Sequence, residues 1–221
     1  MYKQFIPYRN RLLAFSDVET LGKNVNKHAV IQFSCVHESQ DQLIQKDPID
    51  LYIMPTKRDL QESEQKAIEI SGFSLEKWEE KGAKPLRDCI DEIIECLHYN
   101  NKLIVGYNFA LFDYLILQQN LSRINEKYAN EISSRIIDLM SISLAFLTKS
   151  EIKTVTQLNV FNYLFSKKKR VIAYKDKKYD VYINKRGETK VHNALNDIMI
   201  TREIYYEFCK RFANKKQVDL F

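Results

Sequence analysis

Apolar residues fall into short runs in the first quarter of the chain and then recur at helical spacing, and this change of period organises the sequence. The segments "RLLAFS" (11–16), "AVIQFSCV" (29–36) and "IDLYIM" (49–54) predict three successive strands joined by polar loops. Helices are predicted over 60–70 and 85–99. The second opens with Pro85 at its first helical position and aligns Leu86, Ile90, Ile93, Ile94 and Leu97 on one stripe. "KLIVGY" (102–107) predicts a buried strand feeding the helix "ALFDYLILQQNL", and "RIID" (135–138) predicts a fifth strand before "LMSISLAFL". A helix near 154–165 and a β-hairpin built from "RVIAY" and "YDVYI" around "KDKK" follow. The closing helix, about 194–212, spaces Ala194, Ile198, Thr201, Tyr205, Phe208 and Phe212 alternately by four and three. Three strands followed by alternating helices and strands predict an α/β domain with a mixed sheet, in which ligand sites form near the carboxyl end of the first strand.

Composition narrows the classes. With 221 residues, 45% of them hydrophobic, the chain can bury a core and is not a disordered segment. The four cysteines, Cys35, Cys89, Cys96 and Cys209, stand singly with no CxxC pair, and the four histidines show no zinc-ligand spacing around them, which predicts reduced intracellular thiols. No run approaches the roughly 18 apolar residues that span a bilayer, so the expectation is a cytoplasmic protein without a membrane partner. The net charge of +5 is unevenly placed: Lys167 to Lys190 carries +7 and the remainder −2. Such a segment either neutralises the phosphates of a polyanion or is a solvated hairpin whose lysines block edge pairing.

Candidate chemistry sits in three places. In "FSDVETLG" (15–22), Asp17 and Glu19 are two apart, so on a strand both point to one face, and two anions together need a cation. In "VGYNFALFDYLIL", Asp113 stands among apolar neighbours and must be paired, metal-bound or at an exposed end, with helix N-capping as its plain explanation. In "VHNALND", five residues separate His192 from Asp197, so both face one pocket only if His192 precedes the helix, with Asn193 as N-cap. There is no Gly-rich phosphate loop, GxSxG or HExxH.

Taken together, Asp17, Glu19, Asp113, His192 and Asp197 resemble the DEDDh (DnaQ-like) 3′→5′ exonucleases, with "DVETLG", "GYNFALFD" and "HNALND" similar to the family's three motifs in order, and "IDLMSISLAF" similar to the segment after its fifth strand. The resemblance implies a ribonuclease H-like fold, with a mixed five-stranded sheet flanked by helices. It also implies two Mg²⁺ or Mn²⁺ ions held by the four carboxylates, His192 as general base, and Thr20, Leu21 and Asn108 at the 3′ nucleotide. Hard cations take oxygen ligands, and a two-metal site suits phosphodiester hydrolysis. The implied substrate is DNA with single-stranded or frayed 3′ ends, with RNA 3′ ends and a non-catalytic tether as alternatives. The spacing from Asn108 to Asp113 is one longer than in the usual proofreading-subunit motif and resembles that of exonuclease I and polymerase proofreading domains. The expected organisation is an exonuclease domain over 1–212, with a basic hairpin insert near 167–190, and a tail over 213–221. That tail ends "QVDLF", similar to bacterial clamp-binding peptides, which implies that Gln217, Leu220 and Phe221 dock on a sliding clamp, at a polymerase or in repair.

Overall fold

The computed structural model describes residues 11–39, 47–98, 102–147, 152–165, 170–174, 177–181 and 193–214, with side chains of 170–181 and 213–214 excepted. The three early runs form β1 (Leu12–Thr20), β2 (Val30–Glu38) and β3 (Ile49–Met54), paired antiparallel in sequence. β1 runs four residues beyond its apolar run and carries the DxE motif into the sheet, because Asp17 and Glu19 register with Ser34 and Gln32 of β2. Three short helices follow, α1 (Lys57–Gln61), α2 (Gln65–Ser71) and α3 (Leu75–Glu80), where the sequence predicts one. Thr56 caps α1 in a reciprocal box with Asp59, Gly72 ends α2 at φ 64°, and Ser74 caps α3. α3 exists to bury Trp78, whose indole donates to the Ile31 carbonyl at 2.7 Å.

A two-residue strand, β4 (Lys84–Pro85), adds parallel to β3, so the sheet has six strands rather than five. Pro85 is consequently the N-cap of α4 (Leu86–Leu97), one position before that expected. The remaining sheet strands, β5 (Lys102–Gly106) and β6 (Ile136–Asp138), pair parallel, giving the order β4-β3-β2-β1-β5-β6. α5 (Asp113–Ser122) and α6 (Glu126–Glu131) fill the crossover between them. α7 (Leu139–Phe146), α8 (Gln157–Leu164), the hairpin β7 (Arg170–Tyr174) and β8 (Lys177–Val181), and α9 (Ala194–Asn214) complete the chain.

Residue alternation along β1 divides the core. Ala14 and Val18 face α4 and α5, joining Ile90, Ile93, Ile116 and Leu117, whereas Leu13 and Phe15 face α8 and α9, joining Phe161, Ile198 and Ile204. Phe15 meets Tyr205 edge-on at 5.6 Å. On the α9 face the first five members of the expected stripe hold to the core, but Phe212 is 36% exposed and stacks on Phe208. A buried ion pair locks α9 to β2: Arg202 Nε donates to both Glu38 oxygens at 2.9 Å, and the Tyr206 hydroxyl donates to Oε2 at 2.7 Å.

Candidate active site

Asp17 and Glu19 lie on the α9 face of β1, at the carboxyl end of a central strand. Asp197 descends onto them from the first turn of α9. That turn is built by Asn193, whose Oδ1 accepts the Asn196 amide at 3.2 Å and whose carbonyl accepts the Asp197 amide at 3.0 Å, so the expected N-cap is present. One carboxylate oxygen from each of Asp17, Glu19 and Asp197 lies within 4.8 Å of the others.

Asp113 reaches the same point from the other side. β5 pairs with β1 only as far as Phe15↔Val105, which leaves the β1 edge beyond it to another acceptor. Asp113 Oδ1 takes the Val18 amide at 3.2 Å. Asp113 is the first residue of α5, and Phe112 occupies the cap, so the N-cap reading of Asp113 gives way to a cross-link onto β1. The turn that delivers it is tight. Asn108 adopts φ 61°, and a Cβ on Gly106 would meet the Phe109 side chain at 2.4 Å, so only glycine fits there. Asp138, at the end of β6, clamps this turn by accepting from the Asn108 amide at 3.2 Å and the Ala110 amide at 2.9 Å, while also capping α7. The helix therefore starts at Asp113, three residues later than the apolar pattern predicts.

Crowding of these carboxylates shows in their acidity. Burial, then the charges of Asp113, Asp197 and Glu19, push Asp17 well above the usual carboxylate range. Burial pushes Asp113 up to about 8, against the pull of the Val18 amide and its own backbone N–H. Like charges gathered at partly dry positions are stable only when a proton or a cation joins them, and oxygen-only donors suit Mg²⁺ or Mn²⁺. The residues present fit a divalent-cation site.

Two further groups position the site and carry no motif of their own. Gln157, at the start of α8, donates to the Asp197 carbonyl at 2.9 Å and to Thr201 Oγ1 at 2.8 Å. Tyr52 accepts from Asn193 Nδ2 at 3.4 Å, in a row of the sheet that runs Glu19, Gln32, Tyr52. In the adjoining row, Asp50 accepts from Gln32 Nε2 at 2.7 Å and Ser34 Oγ at 2.6 Å.

The family model for the RNase T-type exonucleases matches residues 14–205, from β1 into α9, and so spans all four carboxylates. The chain belongs to the DEDDh 3′→5′ exonuclease family. Members of this exonuclease family generally use divalent metal ions, in keeping with the acidic cluster. No curated protein matches the chain by sequence. Among solved structures, the zinc-bound form of E. coli exonuclease I with single-stranded DNA is 15% identical at TM-score 0.69, covering 91% of this chain and 41% of that one. Exonuclease I in a second structure is 14% identical at TM-score 0.67, covering 94% and 44%. Its complex with SSB-Ct is 16% identical at TM-score 0.64, covering 93% and 42%. At such identities the likeness is one of fold, and the chain spans about two-fifths of the first of these neighbours.

The remaining expected positions separate. Leu21 is fully buried among Ile31, Phe73 and Trp78, where no nucleotide base has access, so it belongs to the core and not to a substrate surface. Thr20 is half-buried and donates its hydroxyl to the Gly22 carbonyl at 2.9 Å. His192, Gln217, Leu220 and Phe221 lie outside the described residues. The hairpin is formed, with Tyr174 paired to Lys177, and β8 lies against α9, two residues earlier than its predicted position. α9 ends at Asn214, two residues beyond the expected end near 212. Among the described residues no helix is long and apolar enough to cross a membrane.

Proposed function

We propose that the protein hydrolyses DNA from the 3′ end, releasing nucleoside monophosphates, with Asp17, Glu19, Asp113 and Asp197 holding two Mg²⁺ or Mn²⁺ ions. The observation that carries this reading is the convergence of Asp17, Glu19 and Asp197 within 4.8 Å, with Asp113 tied to the strand between the first two. When bound, such ions would lower the pKa of water and neutralise charge on the attacking and leaving oxygens. The carboxylates fix where those charges are met, and the packed turn around Asp138 keeps Asp113 from drifting. His192, placed by sequence just before the capping Asn193, is suited to take the proton of the attacking water near neutral pH. Thr20, at the end of β1, and Asn108, in the turn after β5, border the position of the 3′ nucleotide. The basic hairpin supplies backbone charge for the strand upstream.

The tail extends this proposal to a place of work. Gln217, Leu220 and Phe221 bring the enzyme to a sliding clamp for proofreading or repair, beside or within a polymerase, in the cytoplasm. Support comes from the sequence pattern together with the end of α9, which leaves only Lys215 and Lys216 before Gln217.

The test compares 3′-labelled single-stranded DNA, mismatched duplex and RNA in Mg²⁺, Mn²⁺ and EDTA. DNA should be shortened from the 3′ end only with metal, and Asp17→Ala should abolish turnover. Faster digestion of RNA would move the substrate to RNA 3′ ends, and full activity in Asp17→Ala would sink the two-metal reading. For the tail, equal clamp affinity of the wild type and a Leu220→Ala/Phe221→Ala variant would remove the clamp from the proposal.

A further inference from the structure

The opposite face of the same sheet gathers a second, chemically different set of ligands. Cys35 and His37 are two apart on β2 and so share a face, the one turned away from Asp17 and Glu19, because Cys35 registers with Ser16 and His37 with Ala14. Cys96 comes down on them from α4. The three donor atoms lie within 4.8 Å of one another, and all three residues are at most 3% exposed. Cys35 Sγ is 3.6 Å from His37 Nε2. A tetrahedral zinc ion, with Zn–S about 2.3 Å and Zn–N about 2.0–2.1 Å, sets that edge at about 3.6 Å.

From this geometry we propose that Cys35, His37 and Cys96 form a structural zinc site that fastens α4 to β2. Thiolate and imidazole donors select zinc over the hard cations suited to the carboxylate cluster, so the two faces of the sheet sort metals by ligand chemistry. Two oxygens border the cluster and either can take the fourth position: Ser16 Oγ, 3.4 Å from Cys35 Sγ, and the Cys96 carbonyl, 3.1 Å from His37 Nε2. Loading releases the two thiol protons to solvent and places the imidazole proton on Nδ1, leaving the Nε2 lone pair for the metal. Burial rules out a thiol–imidazole catalytic pair, since no substrate reaches it. A plain apolar role is what Cys89 has, buried in the same core cluster on the same helix without a histidine beside it.

A site this enclosed fills during folding and holds its ion afterwards. The test measures zinc by elemental mass spectrometry on protein desalted through EDTA. The expected content is about one equivalent. It should persist in Asp17→Ala/Asp197→Ala and disappear in Cys35→Ser/Cys96→Ser. Because the cysteine variant can fail to fold, a second arm uses wild-type protein only. An organomercurial should release the zinc to a chromophoric chelator, and refolding from denaturant in EDTA should give about 10-fold less native protein than refolding with zinc. X-ray absorption should show sulfur and nitrogen neighbours. Absence of zinc from the native wild type, zinc that follows the carboxylate variants, or a Cys35–Cys96 disulfide in unreduced protein would each overturn the proposal.

Discussion

The Val18 amide donates to the Asp113 carboxylate at 3.2 Å, so the residue between the first two acidic positions holds the third in place. Charge and hydrogen bonding at Asp113 are therefore separable by mutation. Asp113→Asn keeps an oxygen for Val18 and removes the charge. It should lower metal-dependent turnover by more than about 100-fold. In EDTA at pH 8 it should also melt above the wild type, by about 2–4 °C for each kcal/mol of burial and charge penalty relieved. Asp113→Ala should lose turnover without that gain, because the Val18 amide loses its acceptor. Calorimetry with a nuclease assay reads both.

The pH dependence of metal-free stability follows from the same group. Its folded pKa, about 8, lies above the ordinary carboxylate value, so the contribution it makes is complete below about pH 4, is lost progressively as pH rises, and is gone once pH passes about 8. Asp17, raised in the same direction, adds to that loss. The melting temperature in EDTA should fall between about pH 4 and pH 8 and level off above, and Mn²⁺ or Mg²⁺ should flatten the fall by replacing the proton. A flat EDTA profile would show that the carboxylates do not crowd one another.

Gln157 acts on the site only through the backbone turn that carries Asp197. Gln157→Ala should weaken metal affinity by about 10-fold, within the range for groups that orient ligands, while KM for oligonucleotide stays near wild type. Isothermal titration with Mn²⁺ and steady-state kinetics separate the two.

The Arg202–Glu38 pair should be asymmetric under mutation. Arg202→Met leaves a buried carboxylate and should cost about 3–5 kcal/mol, whereas pairing it with Glu38→Leu should recover most of the loss. Urea unfolding of the three variants closes the cycle.

Charge-reversing Lys177 and Lys178 in β8 should raise KM and flatten its dependence on salt, since each lost phosphate contact lowers the slope by about one. An unaltered slope would return the hairpin to a solvated role.

Residues whose type and spacing state their purpose were legible before any fold was seen. Asp17 and Glu19 share a strand face whatever surrounds them, and Asn193 caps a helix through its own side chain. Leu21 misled because a leucine beside a motif reads the same whether it meets a base or Trp78. Asp138, Gln157 and Tyr52 carry no local signature, since their partners are fixed by which elements the topology sets side by side. Cys35, His37 and Cys96 escaped notice for the same reason, as two of them sit on a strand and the third on a helix far along the chain. The short elements α3, α6 and β4 fall below the length at which periodicity registers, and the late start of α5 depends on Asp138 taking amides from the preceding turn.

Asp197 belongs to the last described helix, whereas Asp17 and Glu19 lie in the first strand. The cluster is thus among the most non-local contacts of the fold, and non-local contacts form late. During synthesis the strands and α4 can associate long before α9 leaves the ribosome. Until α9 docks, the carboxylate set lacks one member, and the emerging chain lies among nucleic acids without a complete cutting site.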